Sequence, residues 1–481
     1  MFEAPYPPYD PTDKQSFSYE TVVKRWPIIV TSIIDQLYQM NHGLSLLEPQ
    51  SDVFDVKHMN PERKSAIIRE AKTIMEKVSR VRYEMGRDYP MPEIEDDGEP
   101  LVREYNLELK RLAGEGKGTW FTCPWLFAEC YLYRLLRSFF KLTDHWAAFD
   151  QFAAQKDDTF MKSSVAVAQI ATTMHGMEST KDILESDPSK LEVLFREMLQ
   201  VCLWGNATDL SLLTHMTIAD IENLQSVGKE AQTARQEYIL KDDQQAVWDH
   251  VRTLKNARID IVLDNAGFEL FTDLIFADFL VTYTPYVSKV VFHPKAIPWF
   301  VSDVLPTDFL KTIRELIRSP SFSSPSSTSP TSKHSAGHLK LLANRWDRYL
   351  SDGTFALSVP LETPIGAPDA APIHFWTSPW PYWDLRERDE ELFGCLEGSG
   401  LVVFKGDLNY RKLTGDIRWP VSTPFATAVG PLAGAFPILS LRTNKADVAV
   451  GVDEAVVEKL EENWRISGKY ALISFIPKAD A

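Results

Sequence analysis

The sequence predicts an α/β protein: a three-layer α/β/α, doubly wound, mostly parallel sheet with a large N-terminal helical region. Three observations predict this fold. Apolar residues recur at helical spacing through most of residues 1–240, whereas residues 241–481 carry short β-branched runs that alternate with helical segments. In addition, each of those runs leads directly into polar residues, as the carboxyl ends of strands in open α/β sheets do.

The N-terminal region has the periodicity of amphipathic helices, for example at Trp26, Ile29, Ile33 and Leu37. An acidic, proline-containing stretch at 89–100 interrupts the pattern. Because proline and clustered charge disfavour a buried helix, we expect a surface loop there.

The pattern of the C-terminal region predicts buried strands joined by crossover helices. Continuous apolar runs are typical of parallel strands that are covered on both faces. Intervening helices suit right-handed crossover connections. The predicted strands are 259–263, 287–292, 401–404 and 436–441, and predicted helices include 269–279 and 307–317.

Residues 319–338 interrupt this region with a stretch dominated by serine and proline. Such a composition cannot bury enough apolar surface to offset the entropy of ordering. We therefore expect a disordered surface insertion.

Charge and composition disfavour several partners and locations. The chain has 51 Lys and Arg against 67 Asp and Glu, a net charge of −16, which disfavours nonspecific binding to nucleic acid or anionic membranes. We find no secretory leader and no apolar run long enough to span a membrane, and four cysteines without CxxC spacing favour a reducing compartment. We expect a cytoplasmic protein, with the nucleus as a second location; the oligomeric state stays open.

Oxygen-bearing side chains follow the first two predicted strands. Asp264 and Asn265 come directly after the first strand, and Asp303 lies after the second. Carboxylate and amide oxygens suit a hard or borderline divalent cation such as Mg²⁺ or Mn²⁺, although an Asp-Asn pair can equally form a turn or a helix cap. Glu269, at the start of the next helix, either orients a ligand or caps that helix.

Basic side chains collect after the third and fourth predicted strands. In an acidic protein such clusters could hold a monophosphate, although lysine and arginine in loops are more often simply solvated. Asp407 and Asn409 lie among them and could bind sugar hydroxyls or orient the cations. The basic residues are Lys405, Arg411, Lys412, Arg442 and Lys445.

Other signals are weaker. Asn206 and Asp209 could face a substrate pocket or could end one helix and cap the next. Glu129 lies on a helix whose aromatic residues favour core packing, and His293 is expected to be structural. The absence of Walker, GxGxxG and GxSxG motifs disfavours nucleotide triphosphate, dinucleotide and serine-hydrolase functions.

With these motifs in view, the sequence resembles the damage-control phosphatase family (the domain-of-unknown-function 89 group), in the RTxK branch also called acidic residue methyltransferase 1. The resemblance rests on WGNATDLSLL, DNAGFELFTDL, HPKAIPWFVSD, KGDLNYRKLTGD and RTNK at 442–445. It implies a divalent metal (Mn, Co, Ni or Mg) held by Asp264, Asn265 and Asp303. It also implies substrate binding by Asp407, Leu408, Asn409, Tyr410, Arg411 and Lys445, to which we add Glu129, Asn206 and Glu269.

The resulting hypothesis is metal-dependent hydrolysis of small sugar phosphates such as fructose 1-phosphate and fructose 6-phosphate, with Asp264 or Asp303 as the base. The first alternative is S-adenosylmethionine-dependent methyl transfer to a protein glutamate, with Glu269 and Asp303 at the cofactor; the lack of a glycine-rich loop ranks it lower. The second alternative is a noncatalytic scaffold that binds sugar phosphates.

Overall fold

A computed structural model of the 481-residue chain describes residues 2–46, 59–179, 181–206, 236–318 and 330–479. Its centre is a seven-stranded sheet in the order β1-β7-β6-β5-β2-β3-β4. All neighbouring pairs are parallel except β6 and β7. The predicted mostly parallel α/β sheet is confirmed. The strands are β1 (Ile239–Asp242), β2 (Ala257–Val262), β3 (Val287–His293), β4 (Phe355–Leu357), β5 (Leu401–Lys405), β6 (Ile438–Thr443) and β7 (Ala471–Ile476).

The four predicted strands correspond to β2, β3, β5 and β6. Three further strands, β1, β4 and β7, were not predicted. The boundary placed at residue 240 falls inside β1, which pairs with β7 at one edge of the sheet.

The N-terminal region is helical. Asn60 and Asp187 accept hydrogen bonds from backbone N–H groups as N-caps, and each is followed by a proline in the first helical turn. A π-helical turn, Thr21–Arg25, joins the first two helices. The helices are α1 (Phe17–Glu20), α2 (Trp26–Leu46), α3 (Pro61–Met85), α4 (Val102–Gly114), α5 (Trp125–Lys141), α6 (Ala153–Lys162), α7 (Ser164–Glu178), α8 (Lys181–Ser186) and α9 (Pro188–Trp204).

The remaining helices connect the strands. The two predicted ones appear as α11 and α12, slightly longer than expected. The set is α10 (Gln244–Val251), α11 (Phe268–Tyr283), α12 (Pro306–Arg318), α13 (Pro330–Asp352), α14 (Ala371–His374), α15 (Leu385–Arg388), α16 (Glu390–Glu397), α17 (Gly406–Thr414), α18 (Phe425–Val429) and α19 (Glu454–Val457).

Two hydrophobic cores lie on opposite faces of the sheet. Successive residues of a strand point to opposite faces: Val262 and Val402 belong to one core, and Ile261 and Val403 belong to the other. Helices α2 to α5 contribute to the first core, whereas α7, α9 and α11 contribute to the second. The N-terminal helices therefore cover both faces, which produces three layers.

The predicted disorder is wrong for residues 330–338. Residues 319–329 lie outside the described residues, but from Pro330 the chain forms α13. Buried Leu339, Leu342 and Trp346 give this helix an apolar face that packs into the second core. Packing of that face supports the Ser-rich first turns, which composition alone disfavours.

The predicted surface loop at 89–100 is only partly exposed. It contains no helix or extended strand, but Asp97 and Glu99 are buried. Asp97 pairs with Arg134 at 2.8 Å, and Glu99 pairs with Arg137 at 2.5 Å. These ion pairs compensate charges that burial would otherwise make costly. Across the described ranges, no helix has the length and apolar content needed to cross a bilayer.

Candidate active site

A cavity of about 460 Å³ opens at the carboxyl ends of β2, β5 and β6. Its wall contains most of the side chains selected from the sequence. Segments that are remote in the chain meet there, as expected at the carboxyl edge of a parallel sheet. The predicted residues that line it are Glu129, Asn206, Asp264, Asn265, Glu269, Asp303, Asp407, Leu408, Arg411 and Lys445.

Backbone hydrogen bonds hold the two loops that carry the predicted metal ligands. Asn265 and Asp303 form an isolated antiparallel bridge. The N–H of Val304 donates to the carbonyl of Asp264 at 2.9 Å, and that of Ala266 donates to Ser302 at 2.7 Å. Asp264 and Asp303 consequently line the same cavity.

Asp264 is buried among uncharged donors. Its Oδ2 accepts hydrogen bonds from Asn206 Nδ2 at 3.1 Å and Asn265 Nδ2 at 2.8 Å. Burial, reinforced by the charges of Glu269 and Asp303, raises the pKa of Asp264 well above its usual value. A bound cation would relieve this accumulation of negative charge.

Gly406 allows α17 to begin directly against Asp264. Its φ is +79°, and a Cβ at this position would lie 1.9 Å from Asp264 Oδ2. Any side chain would therefore displace the carboxylate, and glycine alone satisfies both the backbone angle and the contact.

Asp303 is also buried, at 1% exposure. Burial raises its pKa to about 7, although the ammonium of Lys295, 3.3 Å from Oδ2, opposes the shift. The two groups form an ion pair but not a hydrogen bond, and Oδ2 has no hydrogen-bond partner within the described part of the chain. A buried carboxylate oxygen that forms no hydrogen bond, on a residue that lines the cavity, is suited to a metal ligand.

The predicted ligand set contains only two carboxylates and one amide. No group of three or more His, Cys, Asp or Glu side chains in the described ranges is arranged to hold a metal. Asn265 Oδ1 accepts a hydrogen bond from Ser302, which leaves that carbonyl oxygen a second lone pair. The three side chains thus offer oxygen donors that suit a hard or borderline cation, with open positions for other ligands.

Glu269 connects the ligands to a buried ion network. One oxygen accepts from Asn265 Nδ2 at 2.7 Å, and the other accepts from Lys405 Nζ at 3.0 Å. Lys405 also donates to Asp273 at 2.6 Å and to the carbonyl of Cys202 at 2.9 Å. Of the two roles considered for Glu269, this geometry favours orienting a ligand.

Three of the five basic residues predicted to hold phosphate do not line the cavity. Lys405 is occupied by Glu269 and Asp273, and Lys412 donates to backbone carbonyls of Ser378 and Trp380. Arg442 is fully buried and donates to Asp407 and to two carbonyls. The prediction is wrong for Lys405, Lys412 and Arg442, because buried protein oxygens already satisfy their donors.

Arg411 and Lys445 do reach the cavity. Arg411 lies 3.7 Å from the ring centroid of Trp125 and donates to Glu129 at 2.7 Å and Asp416 at 3.1 Å. Two carboxylates therefore offset its charge, and Glu129 enters the site as its partner.

The ammonium group of Lys445 is held by polar but uncharged groups. Its Nζ donates to the Asn206 backbone carbonyl at 2.8 Å and to Asn206 Oδ1 at 2.7 Å. Its backbone N–H donates to Asp407, which also accepts from Arg442 Nε at 2.8 Å. The arginine that begins the RTNK motif therefore positions the loop from which Lys445 extends.

Asn409 and Tyr410 do not line the cavity, which corrects their predicted role in binding substrate. Asn409 Nδ2 donates to backbone carbonyls, at 2.7 Å to that of Lys405, and its Oδ1 accepts from Tyr382. The Tyr410 hydroxyl accepts from the N–H of Val450 at 3.0 Å. Neither residue lines the cavity: Asn409 fixes α17 to the sheet, and Tyr410 fixes it to the loop after β6.

The cavity wall also contains residues that the sequence did not reveal. Among these are Arg25, Lys156 and Ser302. Phe300 and Val301 adopt positive φ angles of 42° and 70°, an uncommon conformation that turns the chain just before Ser302. Ser302 lies inside a motif already singled out, whereas nothing in the sequence near Arg25 indicated a site.

His293 and Asp209 are the remaining residues considered from the sequence. His293 is buried, and its Nε2 contacts Asp260 at 2.9 Å away from the cavity, consistent with a structural role. Asp209 lies outside the described residues.

Comparison with known proteins identifies the family. The model of the damage-control phosphatase ARMT1-like domain matches residues 21–460. The chain belongs to the ARMT1-like damage-control phosphatase family. Among its curated relatives, "Damage-control phosphatase ARMT1" of Danio rerio is 33% identical, over 96% of this chain and 94% of the relative. The protein of the same name from Xenopus laevis is 33% identical, over 95% of this chain and 96% of the relative. The one from Homo sapiens is 31% identical, over 96% of this chain and 97% of the relative.

A solved structure of a DUF89 family protein from Pyrococcus horikoshii is similar over 78% of this chain and 89% of that chain, with 15% identity and a TM-score of 0.34. The predicted family and the predicted enzyme class, a damage-control phosphatase, are confirmed by the family match and the curated relatives. The metal, the substrates and the individual site residues stay predictions.

Proposed function

We propose that this ARMT1-like chain is a metal-dependent phosphatase that hydrolyses small sugar phosphates, with fructose 1-phosphate and fructose 6-phosphate as expected substrates. One observation carries the proposal: Asp264 and Asp303 line the same cavity as Lys445, whose ammonium group forms no ion pair with a carboxylate in the described ranges. Oxygen ligands for a cation and an available positive charge for an anion thus lie side by side. A cavity of about 460 Å³ suits a small metabolite.

Asp264, Asn265 and Asp303 would hold the cation, which we expect to be Mn, Co, Ni or Mg. Two features support this assignment: Asp303 Oδ2 forms no hydrogen bond in the described ranges, and the donors that hydrogen-bond to Asp264 are uncharged amides. When bound, the cation would supply Lewis acidity toward the phosphoryl group. Glu269, fixed by Lys405, would keep Asn265 oriented toward it.

The chain's own side chains would bind and orient the substrate. Lys445 and Arg411 would offset charge on the phosphoryl oxygens, while Asp407 and Glu129 hold these two cations in place. Asp264 or Asp303 would accept the proton of the attacking water. In this proposal, neighbouring residues share cation binding, phosphate binding and proton transfer.

The test is a phosphate-release assay on a panel of sugar phosphates. Protein freed of metal with a chelator is assayed alone and after addition of each of the four metals. We expect release from fructose 1-phosphate or fructose 6-phosphate only in the metal-loaded samples. Absence of release from every sugar phosphate with every metal would refute the proposal.

A parallel sample with labelled S-adenosylmethionine and an acceptor protein tests the methyl-transfer alternative, for which we expect no labelled carboxylate. We also propose a cytoplasmic location, with the nucleus second. All four cysteines are free thiols, which supports a reducing compartment.

A further inference from the structure

Four cationic side chains line the described part of the cavity: Arg25, Lys156, Arg411 and Lys445. Two of them are neutralised by protein carboxylates. Lys156 lies 2.7 Å from Asp150 and 2.5 Å from Asp308, and Arg411 is paired as described above. Their positive charge is therefore partly offset within the protein.

Lys445 and Arg25 differ from these two. Lys445 contacts the neutral Asn206. Arg25 is an exposed residue with no hydrogen-bonded or ion-paired carboxylate in the described ranges, and its guanidinium carbon lies 5.0 Å from the ring centroid of Phe17. The charge available to an anionic ligand is therefore concentrated on residues from opposite ends of the chain.

The backbone turns Arg25 into the cavity wall. Arg25 is the last residue of the π-helical turn Thr21–Arg25, and such turns insert an extra residue that changes side-chain direction, frequently at functional sites. Its neighbour Lys24 does not line the cavity and instead pairs with Glu20 at 3.2 Å. Of these two consecutive cations, Arg25 therefore lines the cavity and Lys24 does not.

A direct hydrogen bond ties the elements that carry Arg25 and Lys445. The N–H of Phe17, in the helix that precedes the π turn, donates to the carboxylate of Asp447 at 2.9 Å. Asp447 lies two residues after Lys445 in the same loop. This bond fixes the N-terminal turn against the loop of the RTNK motif.

We propose that Arg25 is a substrate-binding residue that grips the phosphoryl group together with Lys445. This inference rests on the proposed function and assigns the N-terminal region a part in it. A planar guanidinium can donate two parallel hydrogen bonds to two phosphate oxygens, whereas an ammonium acts as a point charge. Arg25 supplies the fork and Lys445 supplies the point charge.

The experiment compares R25Q, R25K and wild type, with K24Q as the matched control for loss of one charge on the same turn. The measured quantities are kcat/KM for fructose 6-phosphate and the inhibition constant of inorganic phosphate. R25Q should lower kcat/KM and raise the inhibition constant by about tenfold or more, since it removes charged hydrogen bonds. R25K should lie between R25Q and wild type, and K24Q should match wild type.

An unchanged inhibition constant for phosphate in R25Q would overturn the inference, even if KM changed, because Arg25 would then contact another part of the substrate. Equal effects of K24Q and R25Q would also overturn it, since a diffuse charge effect would suffice. If wild type releases no phosphate at all, the proposed function fails separately. Calorimetric titration of metal-loaded wild type and R25Q with inorganic phosphate then still tests Arg25.

Discussion

The ammonium group of Lys445 donates to both oxygens of Asn206, at 2.8 Å to the backbone carbonyl and 2.7 Å to the side chain. The amide nitrogen of the same asparagine donates to Asp264 at 3.1 Å. One neutral side chain thus orients a residue proposed to bind phosphate and a residue proposed to bind metal.

Replacing Asn206 with Ala should lower kcat/KM by about tenfold, because it removes hydrogen bonds that orient both partners. The loss should be non-additive with K445Q, since residues in one network are coupled. Steady-state kinetics of N206A, K445Q and the double variant measure this coupling. Independent, multiplying losses would show that Asn206 does not act through Lys445.

Replacing Asp264 or Asp303 with Asn should abolish metal-dependent turnover. Loss of a residue that hydrogen-bonds to a metal ligand lowers metal affinity or activity by about 10–100-fold. Loss of a ligand itself should therefore lower kcat/KM by more than about a hundredfold. Circular dichroism should show an unchanged fold, because Asn has nearly the same shape. Metal-stimulated phosphate release that persists in both variants would contradict the ligand assignment.

Replacing Lys405 with Met should destabilise the protein by about 3–5 kcal/mol, because Glu269 and Asp273 would become uncompensated buried charges. Urea unfolding measures the change. Adding D273N should restore part of the lost stability, since it removes one stranded carboxylate. Equal stability of K405M and the double variant would show that charge compensation is not the cause.

The ion group around Asp260 predicts a pH dependence of stability. Burial raises the pKa of Asp260, but the hydrogen bond and charge of His293, together with Arg258, more than offset it and leave the pKa below its usual value. A carboxyl with a lowered folded-state pKa contributes stability above its unfolded pKa of about 3.9 and loses that contribution as pH falls through the folded value.

D260N should therefore be less stable than wild type at pH 6 to 7, and the difference should shrink below about pH 4. Thermal melts of both proteins across this range measure it. A difference that grows on acidification would be inconsistent with a lowered pKa.

For every strand except β7, predictability from the sequence follows the strength of the local signal. β2, β3, β5 and β6 are continuous apolar runs and were predicted, whereas half-buried β1 (ILKD) and three-residue β4 carry little signal. β7 (ALISFI) carries the same apolar signal and was missed. Its antiparallel position between β1 and β6 depends on tertiary packing that no local pattern specifies.

Within the site, helical periodicity separates residues that share a motif. One face of α17 lines the cavity with Asp407, Leu408 and Arg411, which follow one another at helical spacing. Asn409 and Tyr410 do not line the cavity and bond to other parts of the protein. All five residues belong to the same motif, and only the helix geometry distinguishes those that line the cavity from those that do not. A binding role for Arg25 could not be predicted from the sequence. It is inferred because carboxylates pair with Lys156 and Arg411 in the folded chain, and no local pattern shows those pairs.

The placement of β7 has a consequence for how the protein is made. β1 pairs with β7, and β7 separates it from β6, although β1 precedes β7 by nearly half of the chain. A nascent polypeptide still on the ribosome cannot close this side of the sheet until residue 476 has emerged. Translation products that stop before β7 would expose unpaired edges of β1 and β6, which are templates for aggregation and targets for quality control.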